Sequence, residues 1–345
     1  MTTMHPLGSR TLRLGTRASA LALQQAQLVA SQLEHRCDIG VELVRVTTTG
    51  DRSSAPIAQL GEVGVFTTAL RDALLAGEID FAVHSYKDLP TDRSLQPDSP
   101  LTGLTIAAVP PREVAHDVLV SANGLGLAQL PSGARIGTGA PRRVAQLRAV
   151  RPDLRYEPLR GNVDTRLAKV FNGELDGVVL AAAALARLGR TDVVSEHLPI
   201  HIMVPAPAQG ALAIECRATD TSLVQLLSTV DDRLTRATVA AEREVLARLE
   251  AGCQAPLGAY GFLDSTDEGG PMGLASRQFQ LHAAVISIDG THVLRRATYV
   301  PYHELVTNAV AVGGALAADL LAAGAATLIG TATLTGAATL TKEAL

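Results

Sequence analysis

Strand-like and helix-like segments alternate through the first two thirds of this 345-residue chain, and that order restricts the folds open to it. β-Branched runs predict strands, and the amphipathic stretches between them predict helices. The predicted strands cover 11–14, 41–48, 79–85, 135–137, 177–182 and 211–215, and the predicted helices cover 19–33, 67–76, 144–150 and 162–171. Such alternation is typical of α/β layers around a mostly parallel sheet.

Two proline-rich segments, Val109-Pro110-Pro111 and Val204-Pro205-Ala206-Pro207, predict domain boundaries. The strand predicted after the second segment can return to the first sheet, which would make the two units a hinged pair. Beyond Asp232 a long helix, a glycine–cysteine loop and a strand predict a separate α+β domain. The predicted domains are 1–110 with 211–230 (α/β), 111–210 (α/β) and 231–326 (α+β), followed by a flexible tail at 327–345.

Composition excludes several classes of function. Thirty Lys+Arg against thirty-four Asp+Glu provide no overall positive field for a polyanion, and with 3% aromatic residues and no Trp we expect no nucleic-acid partner. The first ten residues lack the apolar core of a signal peptide, and we expect no apolar run long enough to cross a membrane. Three scattered cysteines fit neither a disulfide framework nor a metal site. We therefore expect a cytoplasmic protein without a metal, and a monomer because no extended apolar face is legible.

Arginines recur where predicted strands run into turns and helices. The set comprises Arg17, Arg142, Arg143, Arg160 and Arg166. Helix N-termini offer free N–H groups, and guanidinium groups bind carboxylates in two places. Any one of these arginines could be a surface residue paired with a nearby acid, but the repeated pattern favours a ligand with several carboxylates. Arg17 also lies next but one to Ser19, a predicted helix N-cap.

Two further residues have chemical potential. Asp88 follows the strand predicted at 79–85, where ligands of α/β sheets bind, and a carboxylate there can stabilise developing positive charge. A turn aspartate paired with Lys87 explains it equally well. Cys253 lies in a glycine-flanked loop, where a thiolate can attack an electrophile. Most single cysteines are small core residues instead, which is our interpretation of Cys216.

Together these segments resemble the porphobilinogen deaminase (hydroxymethylbilane synthase) family. Seven motifs occur in the family's order between about residues 12 and 260. They are LGTRAS (14–19), TGDR (49–52), AVHSYKDLP (82–90), PRR (141–143), LRGNVDTRL (159–167), PAQGA (207–211) and EAGCQAPLG (250–258). A single motif of this kind would be weak, whereas the ordered set is specific.

The resemblance implies two α/β domains, folded like the lobes of a periplasmic binding protein around a hinged cleft, and a C-terminal α+β domain. It implies a dipyrromethane cofactor attached to Cys253 by a thioether. Four porphobilinogen molecules would add to it head to tail with loss of ammonia, before hydrolysis releases hydroxymethylbilane. Asp88 would bind pyrrole N–H groups and stabilise the cationic azafulvene. The other implied cofactor-binding residues are Arg17, Ser19, Lys87, Thr138, Arg142, Arg143, Arg160, Gly161, Arg166 and Gln209.

The chain departs from the family at several positions. Val63 stands where a lysine is common, Gly139 and Ala140 stand where many members have serines, and 113–117 lacks the usual proline–arginine before its aspartate. We expect the backbone N–H groups of the Gly139 turn to act as donors in place of the hydroxyls.

Two alternative functions remain open. A non-enzymatic, two-lobed binding protein for an organic anion explains the arginines and the hinge prolines, but it explains neither Cys253 nor Asp88. A deaminase paralogue with weakened activity would account for the missing lysine and serines.

Overall fold

A computed structural model describes residues 11–46, 67–91, 102–251, 255–264 and 277–329. The chain forms two compact units, Met1–Glu113 with Ala211–Arg236 and Val114–Gly210 with Ala237–Leu345. It therefore passes from one unit to the other close to both predicted proline boundaries. The division of the second unit into two domains, and the hinged cleft, stay predictions.

The described strands and helices follow the α/β order expected from the sequence. The strands are β1 (Leu12–Thr16), β2 (Val41–Arg45), β3 (Phe81–Ser85), β4 (Leu104–Ala108), β5 (Asp117–Ser121), β6 (Arg135–Gly137), β7 (Arg155–Glu157), β8 (Gly177–Ala181), β9 (Glu196–His197), β10 (Leu212–Arg217), β11 (Leu257–Leu263), β12 (Gln278–Ile286) and β13 (Val293–Pro301). The helices are α1 (Ala20–Cys37), α2 (Thr68–Leu75), α3 (Pro141–Val150), α4 (Val163–Phe171), α5 (Ala182–Arg187), α6 (Thr221–Leu227), α7 (Arg233–Arg248) and α8 (Tyr302–Ala322).

The first unit contains a five-stranded sheet in the order β2-β1-β3-β10-β4. β1 is parallel to both β2 and β3, whereas β10 is antiparallel to β3 and β4. The predicted return of the chain to the first sheet after the second proline segment is thus confirmed. The expectation of a mostly parallel sheet is wrong for β10, which runs antiparallel to both of its neighbours.

The second unit contains a five-stranded sheet in the order β7-β6-β8-β5-β9. β6, β7 and β8 are parallel, and β5 is antiparallel to β8 and β9. Alternate residues of β5 point to opposite faces: Val118 and Val120 pack with Leu167 of α4, whereas Leu119 packs with Leu147 of α3. Helices therefore cover both faces of the sheet, which leaves its edge for polar groups.

The same unit also contains an antiparallel three-stranded sheet, β11-β12-β13, which together with α7 and α8 forms the predicted C-terminal α+β region. α8 packs on β12 and β13. Its buried residues include Leu305, Val312, Leu316 and Leu320, all on one face of the helix.

α8 corrects one sequence expectation. It has 21 residues and a mean hydropathy of 1.7 over its most apolar window, so by length and composition it could cross a membrane. The expectation that no such run exists was wrong because Ala, Val and Leu fill most of a helix that contains only two acidic residues, Glu304 and Asp319. A third of that window is buried, and one face of the helix packs on the sheet.

Several local predictions are confirmed. Ser19 caps α1, with its hydroxyl oxygen accepting a hydrogen bond from the Ala22 N–H at 3.3 Å. Cys216 is fully buried, and burial raises the pKa of its thiol to about 12. The prediction of a flexible tail from residue 327 is wrong at its start, because residues 327–329 are helical; the rest of the predicted tail lies outside the described residues.

The contact between α7 and α8 depends on one glycine. A Cβ atom at Gly313 would lie 2.2 Å from the carbonyl oxygen of Ala241, whereas one at Gly314 would lie 3.9 Å from Arg248. We predict that Gly313→Ala lowers the free energy of unfolding by ~1–3 kcal/mol, because the helices must move apart. Gly314→Ala is the matched control and should raise it by up to ~1 kcal/mol through helix propensity. Urea unfolding of both variants checks this, and equal stabilities would contradict the close packing.

Candidate active site

The first unit brings four of the sequence-predicted residues to one edge of its sheet. β1 and β3 are parallel neighbours, so their carboxyl ends meet at the same edge. Arg17 and Ser19 follow β1, and Lys87 and Asp88 follow β3. Ligands of α/β sheets bind beyond the carboxyl ends of the strands, which makes this edge a candidate site.

Asp88 ends a short 3-10 turn that is held from both sides. The Tyr86 N–H donates to the Ala211 carbonyl at 3.0 Å, and the Leu89 N–H donates to the Tyr86 carbonyl at 3.2 Å. Leu89 is fully buried, whereas Asp88 is exposed. Within the described part of the chain, the Asp88 carboxylate forms no hydrogen bond or ion pair, and thus none to Lys87. This carboxylate is held in place yet open to a ligand.

The strand before Asp88 is anchored by buried polar groups that the sequence did not predict. His84 Nε2 lies 3.0 Å from Glu215 Oε2, and Arg71 Nε donates to Glu215 Oε1 at 3.0 Å. Burial alone would raise the pKa of Glu215, but His84 and Arg71 outweigh it and hold the pKa below its usual value. On the other side, Gln25 Nε2 donates to Ser85 Oγ at 3.0 Å. A charged residue inside an apolar strand, as Glu215 is, was the available signal.

The second unit collects the remaining described residues of the predicted set at one edge of its own sheet. Thr138, Arg142 and Arg143 follow β6, and Arg160 and Gly161 follow β7, a parallel neighbour. Asp117 begins β5 opposite Ala181, which places its carboxylate at the carboxyl end of β8. The edge therefore combines several arginines with one buried carboxylate.

Asp117 accepts hydrogen bonds from three side chains at this edge. Arg142 Nη1 donates to Asp117 Oδ2 at 2.7 Å, and Arg143 donates to Oδ1 from Nε at 2.9 Å and from Nη2 at 2.7 Å. Gln209 Nε2 adds a hydrogen bond to Oδ1 at 3.1 Å and another to the Ala115 carbonyl at 2.6 Å. Burial would raise the pKa of Asp117, but the two arginine charges and these hydrogen bonds overcome it and hold the pKa far below its usual range.

This arrangement separates the roles of the two adjacent arginines. Both are about 5% exposed. Arg143 uses all three of its nitrogens, since Nη1 also donates to the Val179 carbonyl at 2.8 Å. Arg142 uses only Nη1, which also donates to the Val204 carbonyl at 2.7 Å, and among the described residues its Nε and Nη2 have no acceptor. The sequence predicts a ligand contact for both arginines, and both contacts stay predictions; of the two, Arg142 keeps nitrogens without an acceptor among the described residues.

Arg166 adds positive charge that no described carboxylate neutralises. Its Nε donates to the Gly161 carbonyl at 2.8 Å, and it forms no ion pair within the described ranges. Burial, followed by the charges of Arg143 and Arg160, lowers the pKa of Arg166 to about 10. The positive charge of Arg166 is therefore disfavoured both by its removal from water and by the neighbouring arginines. An anionic ligand would stabilise that charge, so the arrangement favours an anion site.

Glycines shape the turns that carry these arginines. Gly161 has a φ of +104°, in the left-handed region, and Asn162 after it caps α4, with Oδ1 accepting from the Thr165 N–H at 2.8 Å. A Cβ atom at Gly139 would lie 2.6 Å from the Leu159 carbonyl oxygen, so a serine there would require the backbone to shift. Gly139 is exposed and its N–H has no acceptor in the described structure. Its expected role as a donor stays a prediction.

Part of the predicted site cannot be placed. Cys253, Val63 and the motif at 49–52 lie outside the described residues. The attachment of a cofactor to Cys253 therefore stays a prediction that the structure does not test.

The strand order and the arginine-bearing edge define an α/β protein with a candidate site for an anionic ligand. Residues 12–225 match the family described as porphobilinogen deaminase, dipyromethane cofactor binding domain, and residues 236–322 match its C-terminal domain. The porphobilinogen deaminase of Thermobifida fusca (strain YX) is 48% identical over 92% of this chain and 95% of its own. That of Nocardia farcinica (strain IFM 10152) is 51% identical over 92% of this chain and 88% of its own. The chain belongs to the porphobilinogen deaminase family.

Solved structures of substrate-binding proteins are also similar at a low level. The methionine binding protein MetQ has a TM-score of 0.41 at 13% identity over 64% of this chain and 89% of its own. A periplasmic substrate-binding protein from Coxiella burnetii has a TM-score of 0.40 at 15% identity over 68% of this chain and 97% of its own. TM-scores this low do not define the fold, which is given by the strand order.

Removing the Asp117 charge should destabilise the second unit. We predict that Asp117→Asn costs ~3–5 kcal/mol in the free energy of unfolding, because it leaves two buried guanidinium groups without their counterion. Glu174→Gln, which breaks the exposed pair with Lys169, is the control and should cost under ~1 kcal/mol. Because folding lowers the pKa of Asp117, the difference between wild type and variant should be constant above about pH 4 and shrink below it. Urea unfolding at several pH values measures it, and a pH-independent difference would contradict the ion-pair assignment.

Neutralising Arg166 should have the opposite effect on stability. We predict that Arg166→Gln, made in a Cys253→Ser background that removes the predicted attachment site of the cofactor, raises the melting temperature by ~1–3 °C by removing repulsion from Arg143 and Arg160. Since folding lowers the pKa of Arg166 to about 10, the gain should hold at neutral pH and shrink above pH 10. Thermal unfolding at pH 7 and pH 10.5 checks both points. A lower melting temperature would show that the hydrogen bond to Gly161 outweighs the repulsion.

Proposed function

We propose that this chain is a hydroxymethylbilane synthase, a transferase that condenses four porphobilinogen molecules head to tail onto a dipyrromethane cofactor linked to Cys253. Each addition releases ammonia, and hydrolysis finally releases hydroxymethylbilane for tetrapyrrole and haem biosynthesis. The observation that carries the proposal is the exposed Asp88 carboxylate, held at the carboxyl edge of β1 and β3 in a member of the porphobilinogen deaminase family.

Asp88 is the proposed catalytic group. A pyrrole presents an N–H donor and becomes positively charged when ammonia leaves its side chain. A carboxylate fixed at hydrogen-bonding distance can accept the N–H and stabilise that charge without having to reorient during the reaction. The buried anchors on either side, His84 with Glu215 and Ser85 with Gln25, support Asp88 by fixing the strand from which its turn begins.

The arginines are the proposed binding groups for acetate and propionate side chains of the cofactor and substrate. In the second unit the structure supports Arg142 and Arg166 most directly, because both keep guanidinium nitrogens without an acceptor in the described structure. Arg143 contributes its charge and holds Asp117 in place. The remaining proposed contacts are Arg17, Ser19, Lys87, Thr138, Arg160, Gly161 and Gln209.

The residues present fit such a cofactor. Dipyrromethane, when bound, supplies the pyrrole carbon to which the first substrate is joined. Its carboxylates match the excess of arginine charge at the edge of the second unit, where Arg166 is held at a lowered pKa beside Arg143 and Arg160. We also propose a cytoplasmic monomer without a nucleic-acid or membrane partner, in keeping with the net charge of −4 and the buried stripe of α8.

The mass of the denatured protein tests the proposal. We predict that the wild type carries a mass excess equal to one linked dipyrrole and that a Cys253→Ser variant does not, because the serine hydroxyl is a far weaker nucleophile than a thiolate. Intact-mass spectrometry before and after incubation with porphobilinogen gives the result. A wild type that stays unmodified would instead favour a binding protein for organic anions.

Turnover of porphobilinogen separates the enzyme from a weakened paralogue. Asp88→Asn keeps the shape of the side chain but removes its charge, and should lower kcat at least ~100-fold. Asp72→Asn, at an exposed position of α2, is the control and should leave kcat unchanged. If the Asp88 variant keeps wild-type turnover, the assignment of the catalytic carboxylate is wrong.

A further inference from the structure

Glu242 of α7 is a fully buried carboxylate for which the motifs and the proposed chemistry provide no role. Its Oε2 accepts a hydrogen bond from the Ala208 N–H at 2.7 Å, and its Oε1 accepts one from the Gly261 N–H at 2.8 Å. Hydrogen bonds from backbone N–H groups to an ionised carboxylate are stronger than those to neutral acceptors. One side chain thus holds two backbone segments that are distant in sequence.

Ala208 is the segment that needs such a bond. It has a φ of +60°, in the left-handed region, and it is fully buried. A residue with a Cβ atom adopts this conformation only where its surroundings compensate the cost. The Glu242 carboxylate is positioned to compensate it, because it accepts from the N–H of that same residue.

The conformation of Ala208 determines where the next side chain points. Gln209 is buried and donates from Nε2 to the Ala115 carbonyl and to Asp117 Oδ1. Asp117 in turn holds Arg142, which keeps nitrogens available for a ligand. If the left-handed turn at Ala208 opened, the Gln209 amide would leave Asp117 first.

We propose that Glu242 is a positioning residue for the anion site, acting through Ala208 and Gln209 on Asp117 and hence on Arg142. The inference rests on the proposed function, since it takes Arg142 as a group that binds substrate carboxylates. The competing role is local: Glu242 would only tie the C-terminal sheet in place through Gly261.

Replacing Glu242 by Gln tests the proposal. The amide can accept from one N–H group only, and its NH2 group then opposes the other. We expect KM for porphobilinogen to rise ~10-fold with a smaller change in kcat, because binding is affected rather than the reacting carboxylate. Glu244→Gln is the control on the same helix, since it removes the pair with Arg248 and should leave KM unchanged.

Two further variants distinguish the relay from a local role. If Glu242 acts through Gln209, KM of Glu242→Gln/Gln209→Ala should equal that of the worse single variant, whereas independent effects would multiply and overturn the proposal. A glycine at position 208 adopts a positive φ without strain. Adding Ala208→Gly to Glu242→Gln should therefore reverse at least half of the rise in KM. A loss of affinity through Gly261 alone would not be restored, and that outcome would also overturn the proposal. The rescued variant keeps the test valid if Glu242→Gln alone fails to fold.

A binding measurement separates this proposal from the proposed function. Isothermal titration of porphobilinogen into Cys253→Ser protein reports affinity without turnover. An unchanged affinity on adding Glu242→Gln would contradict the positioning role, even if the wild type is an active enzyme. If the wild type shows no turnover but the variant still loses ~10-fold in affinity, the proposed enzymatic activity is refuted and the positioning role is retained.

Discussion

The ion cluster around Asp117 is the interaction on which the second unit depends. A carboxylate this deeply buried is stable as an anion only when cations and hydrogen bonds replace water, and Arg142, Arg143 and Gln209 do so here. The cluster joins the start of β5, the turn between β6 and α3 and the loop that leads to β10. Because it links segments far apart in the chain, it also fixes the geometry of the sheet edge.

Positive charge at this edge is not fully paired among the described residues, since Arg166 forms no ion pair there. Asp117 neutralises part of it, whereas Arg166 is held at a lowered pKa by burial and by the nearby charges of Arg143 and Arg160. Such an arrangement costs stability, and a bound carboxylate would relieve that cost. The first unit has the complementary chemistry, an exposed carboxylate on a rigidly anchored turn. Membership of the porphobilinogen deaminase family fits both features.

The departures from the family's usual sequence have structural consequences. At Gly139 the backbone approaches the Leu159 carbonyl so closely that a serine side chain would require the backbone to shift. Ala208 is the reverse case, because an alanine occupies a left-handed backbone conformation that usually favours glycine. At Gly139 the nearby Leu159 carbonyl restricts which residue fits, and at Ala208 the hydrogen bond to the Glu242 carboxylate supports a conformation that the residue's own preference disfavours.

Sequence alone determined the features that depend on neighbouring residues: the α/β alternation, the cap at Ser19, the position of Asp88 after β3, and the motifs that identify the family. Tertiary structure alone decided which arginines are satisfied internally, because Asp117 meets Arg142 and Arg143 across 25 and 26 residues and Gln209 across 92. It also decided the antiparallel entry of β10 and the role of Glu242. Periodicity and capping are local properties of a chain, whereas the pairing of buried charges follows from where the folded backbone brings distant segments together.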